Sequence, residues 1–233
     1  MPSLAVDVLK KVLSSPPFAA ARADAGGPLA SRVAVLPASF NPPTLAHLEL
    51  LGEAREVEGI ASAACLLTTR NVDKDLFGAS LEDRLGMLLA LADPAIAVLV
   101  SNAARIADQG AALEAAFPGV AFDFVVGYDT LIRIFDERYY DDMHQTLAPF
   151  FERHRVIAAN RGRHDVEAVE AYLATHPGAS RYRHRMVVAA VREESASMSS
   201  SLVRRHLAMD GDSPHLPAEV AEYIRTHGLY REG

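Results

Sequence analysis

The chain has 233 residues, half of them hydrophobic, which is enough for one domain with its own core. Its formal net charge of −7 argues against a nucleic-acid binder that works by neutralising phosphates, but leaves room for a small anion held by a local group of arginines. The one cysteine, Cys65, rules out an intrachain disulfide and a multi-cysteine zinc site, and no apolar run reaches the ~20 residues that span a bilayer. Asp7, Lys10 and Lys11 interrupt the apolar pattern near the N-terminus, unlike the core of a signal peptide. A soluble, cytoplasmic protein is expected, with no membrane and no nucleic-acid partner.

Residues 4–13 repeat Leu4, Val8, Leu9, Val12 and Leu13 at helical spacing. Residues 14–27 hold Pro16, Pro17, Gly26 and Gly27 and read as a linker or loop. From Arg32 onward, short β-rich runs alternate with helical patterns. Strands are expected at 32–36, 60–69, 96–100, 122–126, 155–159 and 186–191. Helices are expected at 44–56, 81–92 (with Ser80 as N-cap), 111–117, 143–153, 166–175, 201–209 and 219–227. This alternation predicts an α/β fold, a mostly parallel sheet with helices on both faces, plus an N-terminal helix. Two regions follow: 1–30, helix and linker, and 31–233, the main domain. In such sheets ligands bind at the carboxyl ends of the strands. The loops after Leu36, Thr69, Val126, Ala159 and Val191 are therefore the places to look.

The loop after the first strand of the main domain runs Pro37, Ala38, Ser39, Phe40, Asn41, Pro42, Pro43, Thr44, Leu45, Ala46, His47. It is a strand, a turn and a helix start, where backbone N–H groups without intrahelical acceptors favour a phosphate. Thr44 and His47 are three apart and share a face of the first turn. Read alone, the same residues describe a helix start with a surface histidine. Late in the chain, Ser199, Ser200 and Ser201 open another helix just after a strand, and Arg204 lies one turn in. That segment alone is equally a loop with a cap.

Together the two segments resemble the nucleotidylyltransferase superfamily with the (H/T)xGH signature. Within it they are most similar to the nicotinamide and nicotinate mononucleotide adenylyltransferases. One branch of that family has G-S-F-N-P-x-T-x-x-H, which residues 38–47 follow with Ala38 in place of glycine. The late motif I-S-S-T-x-I-R is matched by Met198, Ser199, Ser200, Ser201, Leu202, Val203, Arg204. Gly127-Tyr128-Asp129-Thr130-Leu131 resembles the family's G-x-D-x-L. Asn160-Arg161-Gly162 resembles its arginine after the next strand. Val220, Tyr223, Ile224, Leu229 and Tyr230 resemble its closing helix. Pro37, Ala38 and Ala46 stand where many members carry glycine, and Thr44 stands for the first histidine of the signature.

The resemblance implies a Rossmann-like nucleotidylyltransferase domain over 31–233. It implies transfer of an adenylyl group from ATP to a phosphate-bearing mononucleotide, with release of pyrophosphate. His47, Lys74 and Arg204 would serve the phosphates as catalytic groups. Ser39, Phe40, Asn41, Thr44, Gly127, Asp129, Arg161 and Ser199 to Ser201 would hold ATP, and Tyr140 and Arg84 the acceptor. Mg²⁺ would come with ATP, held mainly by phosphates and water, with no protein metal site. Lys74 and Arg84 read equally as a solvated lysine and a helix-face ion pair, Asp129 as a helix cap, and Tyr139 and Tyr140 as core. The acceptor stays open between nicotinamide, nicotinate, pantetheine-phosphate and cytidylyl-type chemistry. A nucleotide-binding protein with only weak transferase or ATP-hydrolysing activity is the competing class. A dinucleotide-binding oxidoreductase lacks its G-x-G-x-x-G after the first strand. A homo-oligomer is compatible with the sequence, which does not specify one.

Overall fold

The computed structural model describes residues 2–69 and 78–231. In chain order the elements are α1 (Pro2–Ser14), β1 (Ala20–Arg22), β2 (Arg32–Ala38), α2 (Leu45–Arg55), β3 (Ser62–Thr68), α3 (Leu81–Ala90) and β4 (Ile96–Ser101). They continue with α4 (Ile106–Ala116), β5 (Ala121–Gly127), α5 (Tyr128–Ile134), α6 (Met143–Arg153), β6 (Arg155–Ala159), α7 (Val166–Thr175) and α8 (Pro177–Arg181). β7 (Met186–Ala189), α9 (Glu193–Ala196), α10 (Ser200–Asp210) and α11 (Ala218–His227) complete the chain.

Seven strands form one sheet in the order β1-β4-β3-β2-β5-β6-β7. Every pair is parallel except β1 with β4. The chain builds outward from β2 through β3 to β4, then returns to lay β5 against the other edge of β2. Strand order therefore reverses between β2 and β5, and their diverging exits open a crevice at the carboxyl ends.

Both faces of the sheet are covered, so the strands read as continuous apolar runs rather than alternating ones. Val33, Val35, Phe122, Phe124 and Val126 point to one face and pack under α4, α5, α6 and α7. Ala34, Leu36, Cys65, Leu67 and Ile157 point to the other, under α1, α2 and α3. A smaller core joins α3 to α10 and α11 through Met87, Val203, Leu207, Val220 and Ile224. Among the described residues, no helix is long and apolar enough to cross a membrane.

All six expected strands are present. The segment 14–27, expected as a linker or loop, also contains β1, which pairs antiparallel with β4 in the register Ala20 to Ser101. Three residues are too few to show a period, and the prolines and glycines around them dominate the local pattern. What recruits the segment is Asn102, buried just past β4. Its amide Nδ2 donates to the carbonyls of Val12 (2.8 Å) and Ser15 (2.7 Å), and its Oδ1 accepts from the Ala19 N–H (2.7 Å). α4 begins five residues before its expected start. Gly110 weakens the helical pattern there but lets α4 sit close on α6, because a Cβ at 110 would meet the Phe150 ring at 2.9 Å. The short α5, α8 and α9 were not expected, since each is too brief to show helical periodicity.

Replacing Asn102 by alanine removes its three side-chain hydrogen bonds to the N-terminal segment and leaves buried backbone groups without those partners. A loss of about 2–4 kcal/mol is expected in urea unfolding, with the far-UV spectrum of the folded protein retained.

Candidate functional site

Sequence sets the local geometry first. Thr44 ends the loop after β2 in an extended conformation (φ −130°, ψ 162°) and serves as N-cap of α2. Its backbone N–H donates to His47 Nδ1 at 3.0 Å, and its Oγ1 lies 2.8 Å from the same nitrogen. An N–H donor requires an acceptor, so Nδ1 carries no proton and the neutral ring carries it on Nε2. Behind the imidazole the buried Phe40 ring packs at 5.1 Å. Phe40 reaches that place through a left-handed backbone (φ 43°).

The amides at the start of α2 were expected to wait for an anion. Two of them are already engaged: Thr44 N–H with His47, and Leu45 N–H with the His215 carbonyl at 3.0 Å. The histidine side chain thus carries what this end of α2 offers a phosphate.

The second segment docks on the first. Ser199 caps α10, its Oγ accepting from the Leu202 N–H at 3.2 Å. Ser200 Oγ donates to the Pro42 carbonyl at 3.0 Å. Arg204 donates through Nη1 to the Asn41 carbonyl at 2.5 Å and through Nη2 to Ser201 Oγ at 3.0 Å. The stretch leading into α10 is pinned as well. Asn160 exchanges two hydrogen bonds with the Val191 backbone, at 2.9 and 2.7 Å. The Gly162 N–H donates to the Ala196 carbonyl at 2.7 Å. Glu49, two residues past His47, accepts from the Arg192 backbone, from its guanidinium at 2.7 Å, and from Ser195 Oγ. The Arg192 hydrogen bonds, foremost among these contacts, hold the Glu49 carboxyl down at about 2.

The crevice between β2 and β5 becomes a cavity of about 360 Å³, within the roughly 300–1,000 Å³ range of small-molecule sites. Among the described residues its lining includes Arg84, Arg105, Arg133, Arg161 and Arg204, against the carboxylate of Asp129. Asp129 pairs with Arg161 at 3.3 Å. Gly127 lets this arginine approach, since a Cβ there would lie 3.0 Å from Arg161 Cδ. Burial, and then the positive field of Arg161, depress His47 from the usual 6.5 to about 4. A locally cationic, partly dry cavity in an acidic protein is suited to a polyanion. Among the described residues no group of three or more His, Cys, Asp or Glu is placed to hold a metal ion.

No protein-family model matches the chain. It is 31% identical over 133 residues to a putative nicotinamide mononucleotide adenylyltransferase of Schizosaccharomyces pombe, an alignment covering 54% of this chain and about half, 52%, of that protein. It is 30% identical over 219 residues to a probable nicotinate-nucleotide adenylyltransferase of Bordetella parapertussis, covering 86% of this chain and 98% of the relative. The chain belongs to the nicotinate-nucleotide adenylyltransferase family. The fold agrees. The Plasmodium falciparum nicotinic acid mononucleotide adenylyltransferase, solved in complex with NaAD, superposes with a TM-score of 0.64 at 17% identity, over 85% of this chain and 97% of that one.

Of the residues this adenylyltransferase-family sequence singles out, Ser39, Asn41, His47, Arg84, Gly127, Asp129, Tyr140, Arg161, Ser199, Ser200, Ser201 and Arg204 all line the one cavity. Phe40 and Thr44 do not line it: Phe40 lies behind the histidine, and Thr44 orients it. Lys74 falls outside the described residues. Arg84 is buried, with Nε donating to the Ala79 carbonyl at 2.9 Å. Asp129 lies in the first turn of α5, whose N-cap is Gly127, and pairs with Arg161 instead of capping. Tyr140 is both core and lining: it packs against the α4–α6 side, and its hydroxyl donates to the Ile134 carbonyl at 2.8 Å. Arg105, Gln109, Thr130 and Arg133 also line the cavity and were not singled out. The carboxyl-end rule would have reached Arg105 had the loop after β4 been included with the others.

The depressed folded-state value makes a signed prediction for His47. Between pH 6.5 and about 4 the unfolded chain binds a proton at this residue that the folded chain does not. Its contribution to stability is therefore full above pH 6.5 and is lost as pH falls through that window. Nitrogen-detected NMR of the imidazole is expected to show an unprotonated Nδ1 and a protonated Nε2 at pH 7, titrating near 4. A midpoint near 6.5 would contradict this account.

Proposed function

We propose that this protein transfers the adenylyl group of ATP to nicotinate or nicotinamide mononucleotide, forming the dinucleotide and releasing pyrophosphate. The observation that carries the reading is the docking of the α10 start and Arg204 on the loop that orients His47, at the switch between β2 and β5. The names of the relatives, nicotinate-nucleotide for Bordetella and nicotinamide mononucleotide for Schizosaccharomyces, suggest the acceptor class.

A phosphate oxygen of the mononucleotide attacks the α-phosphorus of ATP, and the bond to the β-phosphate bridging oxygen breaks. Such a transfer needs positioning and neutralisation of charge more than covalent help. His47 donates from Nε2–H to a phosphate oxygen, acting as a neutral hydrogen-bond donor. Arg204 and the α10 start, whose first-turn amides lack intrahelical acceptors, hold the pyrophosphate end. Asp129 exchanges its pair with Arg161 for contacts to a nucleotide ribose, and Arg161 turns toward the adenine end. Arg84, which the resemblance assigned to the acceptor, lies close enough to Arg204 to feel its charge and is proposed for the phosphate side with Lys74, Ser39 and Asn41, while Tyr140 borders the acceptor ring. ATP would enter as its magnesium complex, with phosphates and water as the metal's main ligands.

Purified protein given ATP, Mg²⁺ and either mononucleotide is expected to form dinucleotide and pyrophosphate in equal amounts, resolved by chromatography. His47→Ala is expected to lower kcat by roughly 10²–10³-fold, the scale for losing one charge-stabilising donor. Failure to form a dinucleotide with both acceptors sinks the reading. Product from CTP or from pantetheine phosphate would redirect it within the superfamily.

A further inference from the structure

Asn41 sits at the centre of the phosphate loop, yet it is buried and its side chain turns away from the cavity's catalytic histidine toward the C-terminus. Its Oδ1 accepts from the Tyr230 hydroxyl at 2.7 Å and from the Ala79 N–H at 3.3 Å. Gly78 packs so closely that a Cβ there would lie 2.9 Å from the Asn41 amide. The Asn41 carbonyl takes the Arg204 guanidinium, and the Ala79 carbonyl takes Arg84. Two phosphate-side arginines, the loop after β2 and the residues before α3 thus meet around one amide, and the chain's last aromatic residue closes it.

Tyr230 reaches this position because α11 ends at Gly228 in a left-handed turn (φ 63°), which sends Leu229 and Tyr230 back over the core formed by α3, α10 and α11. Arg84 and Arg204 both act electrostatically on its phenol, but burial dominates and raises the group above the usual tyrosine range. The hydroxyl stays a neutral donor to Asn41 beside two guanidinium groups.

We propose that Tyr230 is a positioning residue for the nucleotide phosphates, a latch from the C-terminal tail that orients Asn41 and through it the loop carbonyl that seats Arg204. The latch is specific to the ATP side. The acceptor ring is proposed to lie by Tyr140, whose hydroxyl is held by the Ile134 carbonyl and not by Asn41. The inference rests on the adenylyl-transfer reading above, so its test begins with ATP binding by the wild-type chain.

Calorimetric titration with ATP and Mg²⁺ is paired with steady-state kinetics for wild type, Tyr230→Phe and Tyr223→Phe. Tyr223 is the control: it lies on α11, and its hydroxyl donates toward Asp83 at 3.5 Å rather than to the phosphate loop. Tyr230→Phe is expected to weaken ATP binding roughly 10-fold, the scale for losing one buried hydrogen bond, with the KM for the mononucleotide close to wild type and a fall in melting temperature no larger than that of Asn41→Ala. Tyr223→Phe is expected to leave ATP binding unchanged. In Asn41→Ala, adding Tyr230→Phe is expected to cost nothing further, because both remove the same contact. Equal ATP affinity in wild type and Tyr230→Phe would overturn the latch, as would an equal loss in Tyr223→Phe or full additivity with Asn41→Ala. A wild-type chain that binds no ATP would instead defeat the functional reading on which the latch stands.

Discussion

Two hydrogen bonds between distant segments hold this site together: Ser200 to the Pro42 carbonyl and Arg204 to the Asn41 carbonyl. Carbonyls in a tight turn before a helix would otherwise face solvent or the ligand. By accepting from α10 they turn a loop with one oriented histidine into half of a shared cradle. Everything that brings α10 there serves this contact. Asn160 and Gly162 fix the strand exits of β6 and β7, Glu49 clamps the Arg192 to Ser195 stretch on α2, and the α3–α10–α11 core holds the helix from behind.

The electrostatics follow from the same arrangement. The chain is acidic as a whole, with most of its carboxylates on outer surfaces or spent in local pairs such as Arg155 with Asp123. Among the described residues the cavity collects five arginines against one aspartate. Burial makes a protonated His47 unfavourable, and the positive field of Arg161 adds to the cost, so the ring remains neutral across the working range. Neutrality does not weaken it as a donor in the right direction. The Thr44 N–H occupies Nδ1 and leaves the proton on Nε2, so the backbone of the helix cap decides the tautomer.

Local pattern carried far in this chain. Continuous Val, Ala and Leu runs marked the six parallel strands, because strands buried on both faces have no polar side to show. The turn after β2 and the serine run before α10 were legible as anion-binding chemistry because helix starts need caps, whatever the tertiary context. Elements too short to repeat were not legible. β1 is three residues long and exists because Asn102 draws the chain onto β4. α5 has seven residues and is sustained by burying Leu131 and Ile134. Arg105 and Arg133 belong to the site by position alone, and an arginine at the start or end of a helix carries no local mark of what it faces.

The order of strands and helices, the two phosphate-type segments and the family likeness were thus determined by sequence, because each depends on side chains within a turn or two of one another. Tertiary structure decided the rest. Reversal of strand order between β2 and β5 chose which strand ends would face one another. It assigned Phe40 to the back of His47 rather than to a ligand, buried Arg84, and left the α2 start largely self-capped, so that the histidine ring and not the helix amides faces the cavity. These choices rest on contacts between residues more than a hundred positions apart, such as Arg204 with Asn41 and Tyr230 with Asn41. No local period or cap can encode them.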